Sequence, residues 1–255
     1  MIVVTGFSVG IFGAIIGSTL LVIVPLLNLL GMPIQVAIGT GKLSVIGREL
    51  IPLIHFRYRN LLSLGNTLPF SFSAMTTSFY GSMVAVELNE KILETIVAVF
   101  MFIIALIFLI NPKIGLVNKC INYTVRHKIF SIIFGLLIGF YTGLFGGGAN
   151  IFIIISFIVI FGDGFLKASA NSKIPNMMIT LVSLPVFILS GYVSWIVAIP
   201  LTISTAAGAH YGTKLAIKKG NKYIRSIFVI LICVLAFKYL IFGVEIKKIA
   251  FFCFF

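Results

Sequence analysis

Apolar and polar positions divide the chain into long apolar segments joined by short polar connections. In the first half the apolar segments run over roughly 1–31, 34–55, 64–86 and 92–111. In the second they run over roughly 128–161, 165–190, 192–213 and 224–243. A helix needs about 20 apolar residues to cross a hydrocarbon core of about 30 Å, and the chain supplies that length repeatedly. The pattern predicts an all-α, polytopic integral membrane protein.

The opening segment of each half is unusual. About thirty residues of straight helix would run about 45 Å, too long for the bilayer core. Each is also interrupted near its middle, by Gly17-Ser18-Thr19 in one half and Gly146-Gly147-Gly148 in the other. Consecutive glycines weaken a helix. The expected structure is a broken helix or re-entrant hairpin, a backbone tolerated at membrane depth only where it lines a cavity.

The two halves resemble each other. Gly6 and Gly10 match Gly135 and Gly139 at an offset of 129 residues. Ala37–Lys42 then matches Ala168–Lys173 at 131, as do Pro69 with Pro200 and Gly81 with Gly212. The change needs only two additional residues, near Gly162-Asp163-Gly164. The organisation expected is a first membrane repeat over 1–111, a cytoplasmic linker over 112–127 and a second repeat over 128–255.

Composition agrees. Of 255 residues, 60% are hydrophobic and 10% charged, and the mean hydropathy is +1.19. A net charge of +13 would point to nucleic acid in a soluble protein, but here the Lys and Arg lie mainly in the connections. That is the pattern of cytoplasmic loops, and nucleic-acid binding is not expected. The loops at 57–60, 112–127 and 214–225 can all be cytoplasmic only if each half crosses the membrane an odd number of times. A first segment that enters and leaves on one side satisfies that count. It inverts the second half relative to the first and places both termini outside, an arrangement recurrent among transporters. Cys120, Cys233 and Cys253 show no metal-ligand spacing, so no metal or cofactor is expected. The start, MIVVTGFSVG, lacks the basic region and cleavage site of a signal peptide.

Candidate chemistry lies inside the apolar segments. Lys42 and Lys173 occupy equivalent places, behind Thr40 in one half and behind Asn171 and Ser172 in the other. A lysine deep in a bilayer costs about 2.5–3.5 kcal/mol or more. Of six acidic residues, only Glu49 falls inside a segment, so positive charge exceeds negative charge and favours an anionic ligand. The two lysines are expected to meet near the midplane and bind it together; the competing reading has both snorkelling to an interface. Gly146, Gly147, Gly148 and Asn150, opposed by Gly17, Ser18 and Thr19, could add neutral donors, because a broken helix exposes backbone N–H groups. Glu49, beside Arg48, is a candidate coupling group or half of a structural ion pair. For Gly6, Gly10, Gly135, Gly139 and Gly143, close helix packing is the preferred reading. His210 is read as a hydrogen-bonded packing residue.

These residues carry a resemblance. A glycine-spaced helix running into the Gly146–Gly148 break, then an A-x-x-T/N-x-K segment, duplicated over about 250 residues, resembles the sulfite exporter TauE/SafE family, also called the four-toluene sulfonate uptake permeases. The resemblance implies a bacterial inner-membrane permease for small anions such as sulfite, thiosulfate, sulfonates or sulfoacetate. The first break departs from the glycine-rich form, reading Gly17-Ser18-Thr19.

The function expected is therefore a secondary transporter of a small, sulfur-containing anion, with the lipid bilayer and that anion as partners and self-association left open. A passive anion channel and a non-transporting assembly subunit are the alternatives. A membrane-embedded enzyme fits less well, since hydrolytic chemistry needs clustered acids, histidines or a Ser/His pair. One intramembrane Glu and the scattered His55, His127 and His210 do not supply them.

Overall fold

The computed structural model describes residues 2–17, 19–93, 95, 96 and 124–242, the side chains of 15, 16, 66 and 221–242 excepted. Ser18, most of the 92–111 segment, the linker up to residue 123 and the closing IAFFCFF lie outside the described residues.

All the described elements are helices: α1 (Ile2–Ile16), α2 (Leu20–Leu29), α3 (Ile34–Tyr58), α4 (Leu64–Glu87), α5 (Val125–Leu144), α6 (Ala149–Phe161), α7 (Phe165–Asn171), α8 (Lys173–Leu189) and α9 (Trp195–Phe242). The breaks fall where the sequence places them. Gly17 and Gly146 both take a φ of +78°, which L side chains seldom adopt, and end α1 and α5 in the same way. With 15 and 10 residues, α1 and α2 are each too short to cross the bilayer core alone. The basic 214–225 stretch, expected as a loop, is helical on both sides of a sharp turn at Gly220 (φ 70°, ψ −166°). The apolar segments 192–213 and 224–243 thus meet at a single glycine.

Element starts in the second half follow those of the first. The starts of α2 and α6 lie 129 residues apart, and those of α3 and α7, and of α4 and α9, lie 131 apart. Packing is exchanged between halves. The opening helix of each half lies on the last helix of the other, α1 on α9 and α5 on α4. α3 also packs on α9 as α8 packs on α4, and α3 and α8 meet each other.

Small residues permit these contacts, as expected from sequence. A Cβ at Gly10 would stand 2.9 Å from Thr205 Cα, and one at Gly143 would stand 2.9 Å from Ser78 Cα. Each glycine lets two backbones touch.

The distribution of polarity is the reverse of a soluble protein's. Phe72, Phe134, Leu137 and Ile196 are exposed, while Lys42, Arg48, Glu49 and Lys173 are at most 2% exposed. Apolar outer faces over a charged interior suit lipid as the solvent. Two stretches, Val125–Leu144 and Phe165–Leu189, are by length and composition alone long and apolar enough to cross a membrane.

Candidate functional site

Both conspicuous lysines are fully enclosed, but they hold different partners. Lys42, on α3, reaches the last turn of α5. Its ammonium donates to Thr142 O at 2.8 Å, Gly143 O at 2.9 Å and Ser183 Oγ at 3.1 Å. An ammonium has three protons, and all three are used. The Phe187 ring lies 5.1 Å away, and the carbonyl end of a helix favours a cation. Lys42 is therefore a satisfied brace across the halves, just before the second glycine break.

Lys173, at the start of α8, sits 3.4 Å from Glu49 Oε2 without making a good hydrogen bond. Glu49 Oε1 is bonded twice, by Arg48 Nη2 and, at 2.9 Å, by Asn176 Nδ2. Asn176 Nδ2 also lies 3.1 Å from Asn150 Oδ1. The Asn150 amide in turn presses on Gly17, where even a Cβ would collide with it. Thr19 and Arg48 close the group, both packing on Gly13. Glu49, Arg48, Lys173, Asn176, Asn150 and Thr19 are all at most 4% exposed.

This cluster is under-satisfied. Arg48 Nε and Nη1, Lys173 Nζ and Thr19 Oγ1 are buried donors with no hydrogen-bond partner. Two cations face one carboxylate, leaving an excess of one positive charge in a low-dielectric interior. An uncompensated buried charge costs several kcal/mol, so such a group favours an additional anion.

The remaining expected site residues have other roles. Ser194 N donates to Thr40 Oγ1 at 3.0 Å, and Ser63 N donates to Asn171 Oδ1 at 2.8 Å. These two pairs, equivalent in the repeats, each pin the start of the other half's last helix. Asn171 Nδ2 also bonds Asp163 Oδ2 at 2.8 Å. Ser172 Oγ donates to Ser169 O at 2.8 Å, within its own helix. In the second break Gly146 and Gly148 both adopt positive φ, and the Tyr141 hydroxyl donates to Gly147 O. The breaks do oppose one another: Asn150 lies on Gly17, and a Cβ at Gly146 would stand 3.1 Å from Leu20. His210 Nδ1 lies 3.1 Å from His55 Nε2.

Sequence reasoning missed Asn176 and Ser183, and did not enlist Arg48 as a ligand-facing group. The spacing of Asn176 from Lys173, three residues along a helix, was the available signal. Ser183 carries no such mark, because its partner is in the other half.

A helical bundle with an apolar outside and buried charges at broken helices defines a class of membrane protein that moves polar cargo. The profile of the sulfite exporter TauE/SafE family matches residues 2–239, and the chain belongs to that family of membrane transporters. It is similar to a probable membrane transporter protein of Haemophilus influenzae, 28% identical over 89% of this chain and 88% of that protein. The probable membrane transporter protein YfcA of Escherichia coli K12 is 29% identical over 91% of this chain and 85% of its own length. A probable membrane transporter protein of Bacillus subtilis, YdhB, is 26% identical over 82% of this chain and 85% of its own. No solved structure matches the chain.

Proposed function

We propose that the chain is a secondary transporter that moves a small oxyanion, sulfur-containing such as sulfite, thiosulfate or an organosulfonate, across the inner membrane. Its binding site is the cluster of Arg48, Lys173, Thr19 and Asn176 beside the Gly17 break. One observation carries this reading: buried donors on Arg48, Lys173 and Thr19 have no partner inside the protein. A sulfonate or sulfite presents three oxygens on a tetrahedral centre, a shape suited to a guanidinium fork, an ammonium and a hydroxyl converging from different elements. The repeat offsets, the exchanged packing and the short α1 and α2 support two inverted repeats surrounding a central site.

The test is binding by purified protein in lipid nanodiscs. Methanesulfonate, thiosulfate and sulfite should raise its thermal stability, because a ligand that binds only the native state adds RT ln(1 + [L]/Kd). A charge-assisted hydrogen bond contributes about 1.5–3 kcal/mol, so Arg48→Met or Lys173→Met should weaken binding by about 10- to 100-fold. Unchanged affinity in both variants would remove the cluster from the site.

A further inference from the structure

We infer that Glu49 is a built-in competitor for the transported anion, and that its protonation lets the anion in, so that one proton travels with each anion. The inference rests on the anion-site reading above and specifies its coupling.

Glu49 presents the same chemistry as the expected cargo: a delocalised negative charge held on oxygens against Arg48 and Lys173. The hold is uneven. Oε1 carries two hydrogen bonds, from Arg48 and Asn176, whereas Oε2 has none and relies on Lys173 at 3.4 Å. The carboxylate therefore occupies the cations only in part, and one proton added at its unbonded oxygen would cancel its charge. Arg48 and Lys173 would then keep two charges with no internal counter-ion, which is when an oxyanion is most strongly favoured. Asn176 suits either state, since an amide both donates and accepts.

The second half has no equivalent. Ile179 and Thr180 stand where Arg48 and Glu49 stand in the first. Competition is thus confined to one site, which fits a single proton rather than two.

The surroundings isolate this titration. α1 and α2, adjoining α3, carry no titratable side chain in their described residues. From α8 the charged neighbour is Lys173. On α7, Lys167 is paired with Asp163 at 2.8 Å. On α9 the nearest titratable group is His210, which faces His55 at the end of α3, with Tyr211 and Lys214 beyond it.

The step balances. A proton from water converts the Glu49 carboxylate to the acid, the anion docks on Arg48 and Lys173, and release on the far side returns both anion and proton to water. For a monovalent sulfonate the cycle is electroneutral.

The experiment is calorimetric titration of the full chain in nanodiscs with methanesulfonate and thiosulfate, which stay ionised from mildly acid to mildly basic pH. Sulfite is unsuitable for counting protons because it titrates near neutrality. Repeating the titration in buffers of different ionisation enthalpy counts protons taken up. We expect one proton per anion where Glu49 is charged beforehand, and affinity falling about tenfold per pH unit there, as a single linked proton requires. Glu49→Gln should bind methanesulfonate with no proton uptake and no pH dependence over that range.

Binding to the wild type with no proton uptake and flat pH dependence would overturn the coupling while leaving the anion site intact. Uptake that persists in a folded Glu49→Gln would assign the proton elsewhere and overturn it too. Should Glu49→Gln fail to fold, the proton count of the wild type still decides. Failure of the wild type to bind either probe, or equal binding by Arg48→Met and Lys173→Met, would overturn the site and the coupling together.

Discussion

Lys42 and Lys173 stand in matched positions 131 residues apart, yet their neighbours give them opposite characters. Lys42 spends all its donors on two carbonyls and a hydroxyl, whereas Lys173 faces Glu49 with its nitrogen unbonded. Substituting them should therefore separate stability from binding. Lys42→Met strands three buried acceptors, at about 1–3 kcal/mol for each that cannot relax. We expect a clear drop in melting temperature with little change in anion affinity among the molecules that remain folded. Lys173→Met removes a donor that has no hydrogen bond to lose, so affinity should fall more than stability. Thermal unfolding and binding measured on the same two variants check both statements. Thr40→Val should be mild, costing about 1 kcal/mol for the lost bond to Ser194 N. Asn171→Leu should cost more, because it releases both Ser63 N and the buried Asp163.

Among the elements, the glycines on α1, α4, α5 and α9 matter by what faces them. Gly143 lies against the Ser78 backbone and Gly139 against that of Ala74, so a methyl group there must push α5 away from α4. Gly65, near the start of α4, faces open space and has an ordinary φ. Gly143→Ala should lower the yield and melting temperature of folded protein sharply, and Gly139→Ala should do the same. Gly65→Ala should be neutral or stabilising by up to about 1 kcal/mol, since alanine is the better helix former. Melting curves of the three variants, in the same lipid, give the comparison. Equal tolerance at Gly143 and Gly65 would mean that α4 and α5 do not pack as described.

For the whole molecule, the inverted arrangement predicts sidedness. Single cysteines placed at Arg57, Lys214 or Lys218, in a chain freed of its own cysteines, should react with an impermeant thiol reagent only when the cytoplasmic face is open to it. Labelling of Lys214→Cys from outside intact cells would overturn the arrangement. Much of the fold was legible beforehand, because lipid imposes length, apolarity and a helical backbone on every span, and these are local properties of sequence. The broken first helices followed from glycine's weak helix propensity, and the correspondence of element starts followed from the repeat. The site was legible only in its ingredients. Sequence marked Lys42, Lys173, Glu49 and the two breaks, but treated the lysines as equals because they occupy equivalent positions. Partners are fixed by packing between segments far apart in the chain: Thr142 and Ser183 reach Lys42 across 100 and 141 residues, and Asn176 reaches Glu49 across 127. Local pattern determines which residues must be buried in this protein. Only the tertiary structure decides which buried donors find an acceptor and which are left for an anion, because a hydrogen bond depends on a distance the sequence does not contain.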